Sequence, residues 1–134
     1  MKRLIALVIV ASGCAGDLED PLRFTDCPPG YTEQLFSQRC TSADGMGCHG
    51  DNLPDANLDL VSPGVADRVR TLTSTDMCEG RSLVDASGGK HLMVEKIEES
   101  PTCGSRMPFG TQALSTNEIE CVRRWVDDIA TEAP

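Results

Sequence analysis

Aromatic side chains are scarce: Phe24, Phe36, Phe109, Tyr31 and Trp125 are the whole set in 134 residues. Large flat side chains therefore cannot fill much of an interior, and something else has to occupy the middle of a compact fold. Basic residues are outnumbered, with 12 Lys and Arg against 21 Asp and Glu. That balance argues against nucleic acid or an anionic membrane surface as the main partner. It suits solubility, or a basic protein partner. Histidine occurs only at positions 49 and 91. There are no internal repeats and no strand-like alternation longer than a few residues. No nucleophile elbow, phosphate loop or paired acid–base constellation is present, so the chain does not read as an enzyme. After Ile129 nothing resembles a second membrane segment.

What is present begins at the amino terminus. Met1-Lys2-Arg3 is a short basic start, and Leu4 to Val10 (LIALVIV) is an unbroken apolar run. The run is too short to span a bilayer as a helix. Ala11, Ser12 and Gly13 then put small residues directly before Cys14. This is the three-part layout of a secretory signal, and ASGC resembles a lipobox, whose cysteine is lipidated and becomes the first mature residue. Ala11 stands where leucine is commoner, and a plain secretory signal cut nearby is the alternative. Several acyl chains on Cys14 would anchor the protein stably, where one chain would not. The expected organisation is a leader over 1–13, a tether over 14–26 and one domain over 27–134. Removing Lys2 and Arg3 with the leader takes the net charge from −9 to −11. A chain of this length buries about two-thirds of its unfolded surface, enough for a modest core.

Seven cysteines are present, and lipidation of Cys14 leaves six: Cys27, Cys40, Cys48, Cys78, Cys103 and Cys121. An even set in an exported domain reads as a disulfide framework. If two of the six have another task, four remain to pair. Cys78 with Cys103 and Cys27 with Cys121 is a working assignment, which the sequence does not derive.

The local patterns are helical. Thr32 is placed to cap a first helix running to Arg39, with Tyr31, Leu35 and Phe36 on one side. Residues 41–63 are rich in Gly, Asp, Asn and Pro and read as loop. Val65, Val69 and Leu72 mark a second helix. A third is expected from about Lys90 to Glu98, with Met93 and Ile97 inward. PTCGSRMPFG (101–110) is a loop by composition. Ser115 and Glu118 form a capping box for the last helix, whose apolar stripe is Ile119, Val122, Val126 and Ile129. The fold class is all-α with long loops.

Cys48-His49-Gly50 puts a thiol beside an imidazole, a step that suits covalent haem attachment with the histidine as axial ligand. Downstream, Met107 lies between Arg106 and Pro108 in a Gly/Pro loop. Methionine on such a loop is an odd choice for packing and a good one for a second axial ligand, since His/Met ligation raises the haem potential. Pro108 favours an extended residue before it, and a disulfide at Cys103 would pin the loop.

In this order of features the chain resembles the class I c-type cytochromes, and in particular cysteine-rich cytochrome c-like bacterial lipoproteins. The motifs are RC…GCHG, ANLDL, CGSRMPFG and LSTNEIECVRRWV, spread from about Cys27 to Ile129. The resemblance implies a small cytochrome c-like helical domain holding haem c, with its iron, through Cys40 and Cys48. His49 and Met107 are the implied axial ligands, and Phe36 meets Trp125 where the first and last helices cross. It also implies single-electron transfer with an unnamed redox partner protein. The setting is the bacterial cell envelope, lipid-anchored and facing the periplasm or the cell surface.

One departure is large. The usual attachment motif has two residues between its cysteines, and here there are seven, TSADGMG. On a continuous helix the two thiols would stand roughly 12 Å apart, so the insert has to loop out, helped by Gly45 and Gly47. Otherwise Cys48 alone bonds haem and Cys40 joins a disulfide. Other readings stay open. Cys40 and Cys48 could pair as a disulfide with His49 on the surface, and Met107 could be ordinary packing. A zinc site would need two free thiolates in an oxidising compartment. His91 reads as a solvated helix residue, with bis-histidine ligation the other use for it. Asp55, Asn57 and Asp59 have calcium-loop spacing, but Leu60 and Ala66 stand where glycine and glutamate are required, so that reading is rejected. The alternative function, from a different class, is a haem-free disulfide-stapled lipoprotein acting as a binding or envelope-structural module.

Overall fold

The longest helix begins where the sequence puts a capping box. In a computed structural model the described residues are 26–41, 48–52 and 54–132. The leader, Cys14, the tether through residue 25 and the insert 42–47 lie outside them. The described residues are helical, with no strand among them. In chain order they form α1 (Tyr31–Arg39), α2 (Val65–Thr71), α3 (Leu92–Glu95) and α4 (Thr116–Thr131), with 3-10 turns at Asp55–Asn57 and Asp76–Cys78. No helix among them is long and apolar enough to cross a membrane.

At the start of α4 the Ser115 side chain accepts from the Glu118 N–H at 3.3 Å, and the Glu118 carboxylate accepts from the Ser115 N–H at 2.6 Å. Two otherwise orphaned donors are satisfied at once. Cys121, Val122, Val126 and Ile129 then form the buried stripe, which packs on α1, α2 and α3. The α1 crossing is the tightest part of the fold. Phe36 meets Trp125 edge to face, with ring centroids 5.4 Å apart at 84°, the arrangement that ring quadrupoles prefer. Trp125 Nε1 donates to Glu33 at 3.0 Å. Arg39 holds Glu118 at 3.0 Å and donates to the Gln112 and Ala113 carbonyls.

Helix α1 starts differently from expectation. Gly30, at φ +79°, is its N-cap and supplies no side-chain bond. Thr32 therefore lies inside the first turn and does not cap it. It is buried against α4, where its hydroxyl donates to the Cys121 carbonyl at 3.4 Å. The left-handed Gly30 turn starts the helix at Tyr31 and aims Thr32 at its neighbour.

Two disulfides close the frame, Cys27–Cys121 and Cys78–Cys103, the same partners as in the working assignment. With sequence separations of 94 and 25, loop-closure entropy gives them roughly 4.7 and 3.5 kcal/mol. The first ties the N-terminal end of the domain to α4. The second ties the turn after Thr75 to the 101–110 loop.

Helix α3 is shorter than the expected 90–98 span. Beyond Glu95 the chain tightens into i, i+3 turns, with Ile97 N–H on the Val94 carbonyl at 3.1 Å. Met93 and Ile97 are both buried. His91 is corrected outright: it is 7% exposed, not solvated. Its Nδ1 accepts from the Asp85 N–H at 2.9 Å, so Nε2 carries the proton and donates to Asp127 at 3.0 Å. The ring sits at the N-cap of α3 and bridges the preceding loop to α4. Close by, Glu95 is buried and takes two bonds from Arg81, at 3.1 and 2.8 Å, and one from Thr102. Bonding to Arg81, then to Thr102, holds its carboxyl at about 2. Between α1 and α2 the Asp59 carboxylate is already committed, accepting from the Val61 and Ser62 N–H groups.

Candidate functional site

Between α1, the loop after Cys48, the 72–78 segment, α3 and the Met107 loop lies an almost wholly apolar cavity. Its volume is about 260 Å³, near the lower end of the range for small-molecule pockets. Phe36, Leu58, Leu60, Leu92, Met93 and Leu114 form much of its wall. Three of the residues singled out by their chemistry, Cys40, His49 and Met107, line it as well. They come from three separate segments, so only folding brings them together.

The two ends of the insert are held together. Thr41 and Cys48 pair in an isolated antiparallel bridge, and the His49 N–H donates to the Cys40 carbonyl at 3.1 Å. Residues 41 and 48 are thus held side by side at the end of α1. Cys48 itself sits at φ +53°, a left-handed position that costs a non-glycine residue about 1 kcal/mol. Strain of this kind collects at functional sites.

Cys40 and Cys48 are both free thiols, while Cys27, Cys78, Cys103 and Cys121 are all in disulfides. The reading in which Cys40 and Cys48 bond to each other is not the arrangement found, and neither is one with Cys40 in another disulfide. The two differ in setting. Cys40 is half-buried and on the cavity wall, whereas Cys48 is exposed beside His49 and outside that wall. Burial pushes the Cys40 thiol up to about 11; Arg39 opposes this and Cys48 adds to it. Cys40 is therefore a protonated thiol at neutral pH.

The orientation of His49 is fixed by backbone. Its Nδ1 lies 3.1 Å from the Leu58 carbonyl, and since a carbonyl only accepts, Nδ1 carries the proton. Nε2 keeps its lone pair, the state a metal ligand needs, with a second-shell carbonyl setting the tautomer. The Leu60 N–H bonds back to the His49 carbonyl at 2.9 Å, which holds the loop around the ring. Burial lowers the imidazole pKa, outweighing the Leu58 bond and the nearby Asp55 charge. The ring is neutral at pH 7.

Met107 is half-buried against the core. Its N–H donates to the Lys96 carbonyl at 2.6 Å, and its bond to Pro108 is cis. Lys96 also lines the cavity, and its ammonium donates to the Cys103 carbonyl at 3.0 Å. The loop carrying Met107 is thus tied at Cys103 by a disulfide and by Lys96. His91 does not line the cavity, and both its ring nitrogens are engaged, so it forms no histidine pair with His49. Among the described residues no cluster of three His, Cys, Asp or Glu side chains could hold an ion, and the zinc reading has no ligand set there.

Sequence reading missed two contributors. The Leu58 carbonyl is backbone and carries no compositional signal. Lys96 is three residues after Met93 and next to Ile97, on the face expected to point inward, and that spacing was the available clue. No protein-family profile, curated protein or solved structure matches the chain, so the chemistry of the site rests on its own residues.

Proposed function

We propose that the domain is a haem-bearing, cytochrome c-like electron carrier of the bacterial cell envelope, held to a membrane by lipid on Cys14. The observation that carries this reading is one apolar cavity with Cys40, His49 and Met107 on its wall. A bare ion would need far less space and more donors, whereas a porphyrin supplies four nitrogens of its own and asks the protein for only two axial ligands. His49, neutral and with a free Nε2, and Met107, a soft thioether, form such a pair. A porphyrin would also provide the apolar bulk that five aromatics do not.

Attachment needs reduced thiols, and among the described residues Cys40 and Cys48 are the two not in disulfides. Each thioether would form by addition of a thiol across a vinyl group, with the S–H hydrogen going to the other vinyl carbon. No oxidant is consumed. Bound haem would supply reversible single-electron exchange at iron. The chain's part is to hold His49 in one tautomer through Leu58, to exclude water with the leucine wall, and to fix Met107 through Lys96 and Cys78–Cys103. The acidic surface suits a basic redox partner.

Expression in a host with haem-maturation machinery should give a coloured protein whose visible bands survive denaturation. Cys40→Ser should release more haem than Cys48→Ser, because Cys40 is the thiol on the cavity wall. Met107→Ala should abolish the methionine–iron band and lower the potential. A colourless product with all six thiols in disulfides overturns the proposal and leaves the haem-free stapled module.

A further inference from the structure

Among the described residues on the cavity wall, Lys96 is the one Lys, Arg, Asp or Glu. A buried or half-buried ammonium is costly unless an anion meets it, and this chain has many carboxylates that could. Nine basic side chains lie among the described residues, and seven of them make ion pairs there: Arg39, Arg68, Arg70, Arg81, Lys90, Arg123 and Arg124. The two that do not are Lys96, shortly before the loop that carries Met107, and Arg106, within it. Only Lys96 reaches the cavity.

The ammonium keeps hydrogen-bonding capacity to spare. One of its three hydrogens goes to the Cys103 carbonyl at 3.0 Å, which holds the group in place and leaves two donors. A Cβ added at Gly104 would lie 2.9 Å from Lys96 Nζ and 2.8 Å from Met77 Sδ, so the absence of a side chain there makes room for both. Thr73, Ser74 and Thr75 lead to Met77 on the same wall, and the Ser74 hydroxyl is spent on the Cys78 carbonyl at 3.2 Å. The ammonium thus lies close to Met77 on this wall, while the Cys40 and His49 segments supply the thiol and the imidazole.

We propose that Lys96 is a carboxylate anchor: its ammonium binds an acid group of the porphyrin and sets which edge of the ring faces the α3 wall. This rests on the haem reading above and extends it, because protoporphyrin carries its two acids on the edge away from its vinyl groups. Lys96 also accepts, through its carbonyl, the N–H of Met107 at 2.6 Å. The ring's acid edge and the Met107 loop are therefore registered by one residue.

The test uses the full chain, exported in a host without haem-maturation machinery so that the disulfides form and no haem is attached. It is titrated with iron protoporphyrin and with its dimethyl ester, read by the main absorption band. The parent should prefer the diacid by about tenfold, the scale of one charge-assisted hydrogen bond. Lys96→Gln should bind both forms equally, Lys96→Arg should keep the preference, and Arg106→Gln should keep it too. Equal binding of diacid and diester by the parent overturns the proposal, as does an undiminished preference in Lys96→Gln. If Lys96→Gln does not fold, Lys96→Arg decides, because loss of the preference with charge retained also overturns it. A parent that takes up neither porphyrin, and stays colourless when made with maturation machinery, sinks the haem reading and the anchor with it.

Discussion

The α1–α4 crossing and the cavity wall are held together by different physics. At the crossing, regular helices bury side chains with almost no exposure, Phe36 and Trp125 meet edge to face, and a capping box and the Cys27–Cys121 bond close the ends. Around the cavity most of the wall is irregular chain. It keeps its shape through single backbone bonds such as His49 Nδ1 to Leu58 and Met107 N–H to Lys96, and through Cys78–Cys103. One region gains stability from packing that tolerates little change in volume. The other leaves apolar surface open, which is a liability unless a ligand covers it. A frame of the first kind is what permits a cavity of the second.

The largest separation of the two regions should come from Cys27→Ser with Cys121→Ser. Loop-closure entropy predicts a loss of roughly 4.7 kcal/mol, measured by urea unfolding. The methionine–iron band of haem-loaded protein should be unchanged below the transition. Cys78→Ser with Cys103→Ser should cost less, roughly 3.5 kcal/mol, yet weaken that band at temperatures where the helices remain intact by circular dichroism. Equal effects of the two double variants on the band would show that the Met107 loop is not pinned locally. The smallest effect concerns Glu95. Its folded pKa, about 2, lies below the ordinary 4.5. The ionised carboxylate therefore adds stability that is complete above about 4.5 and is lost as pH falls toward 2. Thermal midpoints of the parent should drop over that window. Glu95→Gln should show a shallower drop there, and an unaltered slope would remove Glu95 as a cause of acid sensitivity.

Legibility from sequence follows the same division. The last helix was readable because its signals are local: Ser115 and Glu118 are one turn apart, and the apolar stripe repeats with the helical period. The second helix was readable for the same reason. Thr32 and His91 were misread because their roles depend on distant partners, the Cys121 carbonyl in one case and Asp85 with Asp127 in the other. Local composition favours capping for a threonine and exposure for a lone histidine, and tertiary contacts overrode both. Cys40, His49 and Met107 could be singled out as residue types, but nothing in their spacing puts them on one wall.

By itself the sequence determined the helical class, the even set of six cysteines after Cys14 and the start of α4. Each is a matter of composition or of contacts within a few residues. Only the tertiary structure decided which thiols pair and which stay free, that Cys40 lines the cavity while Cys48 is exposed, and that Leu58 sets the His49 tautomer. Those choices depend on where segments separated by tens of residues come to rest, and the packing around a shared cavity decides that.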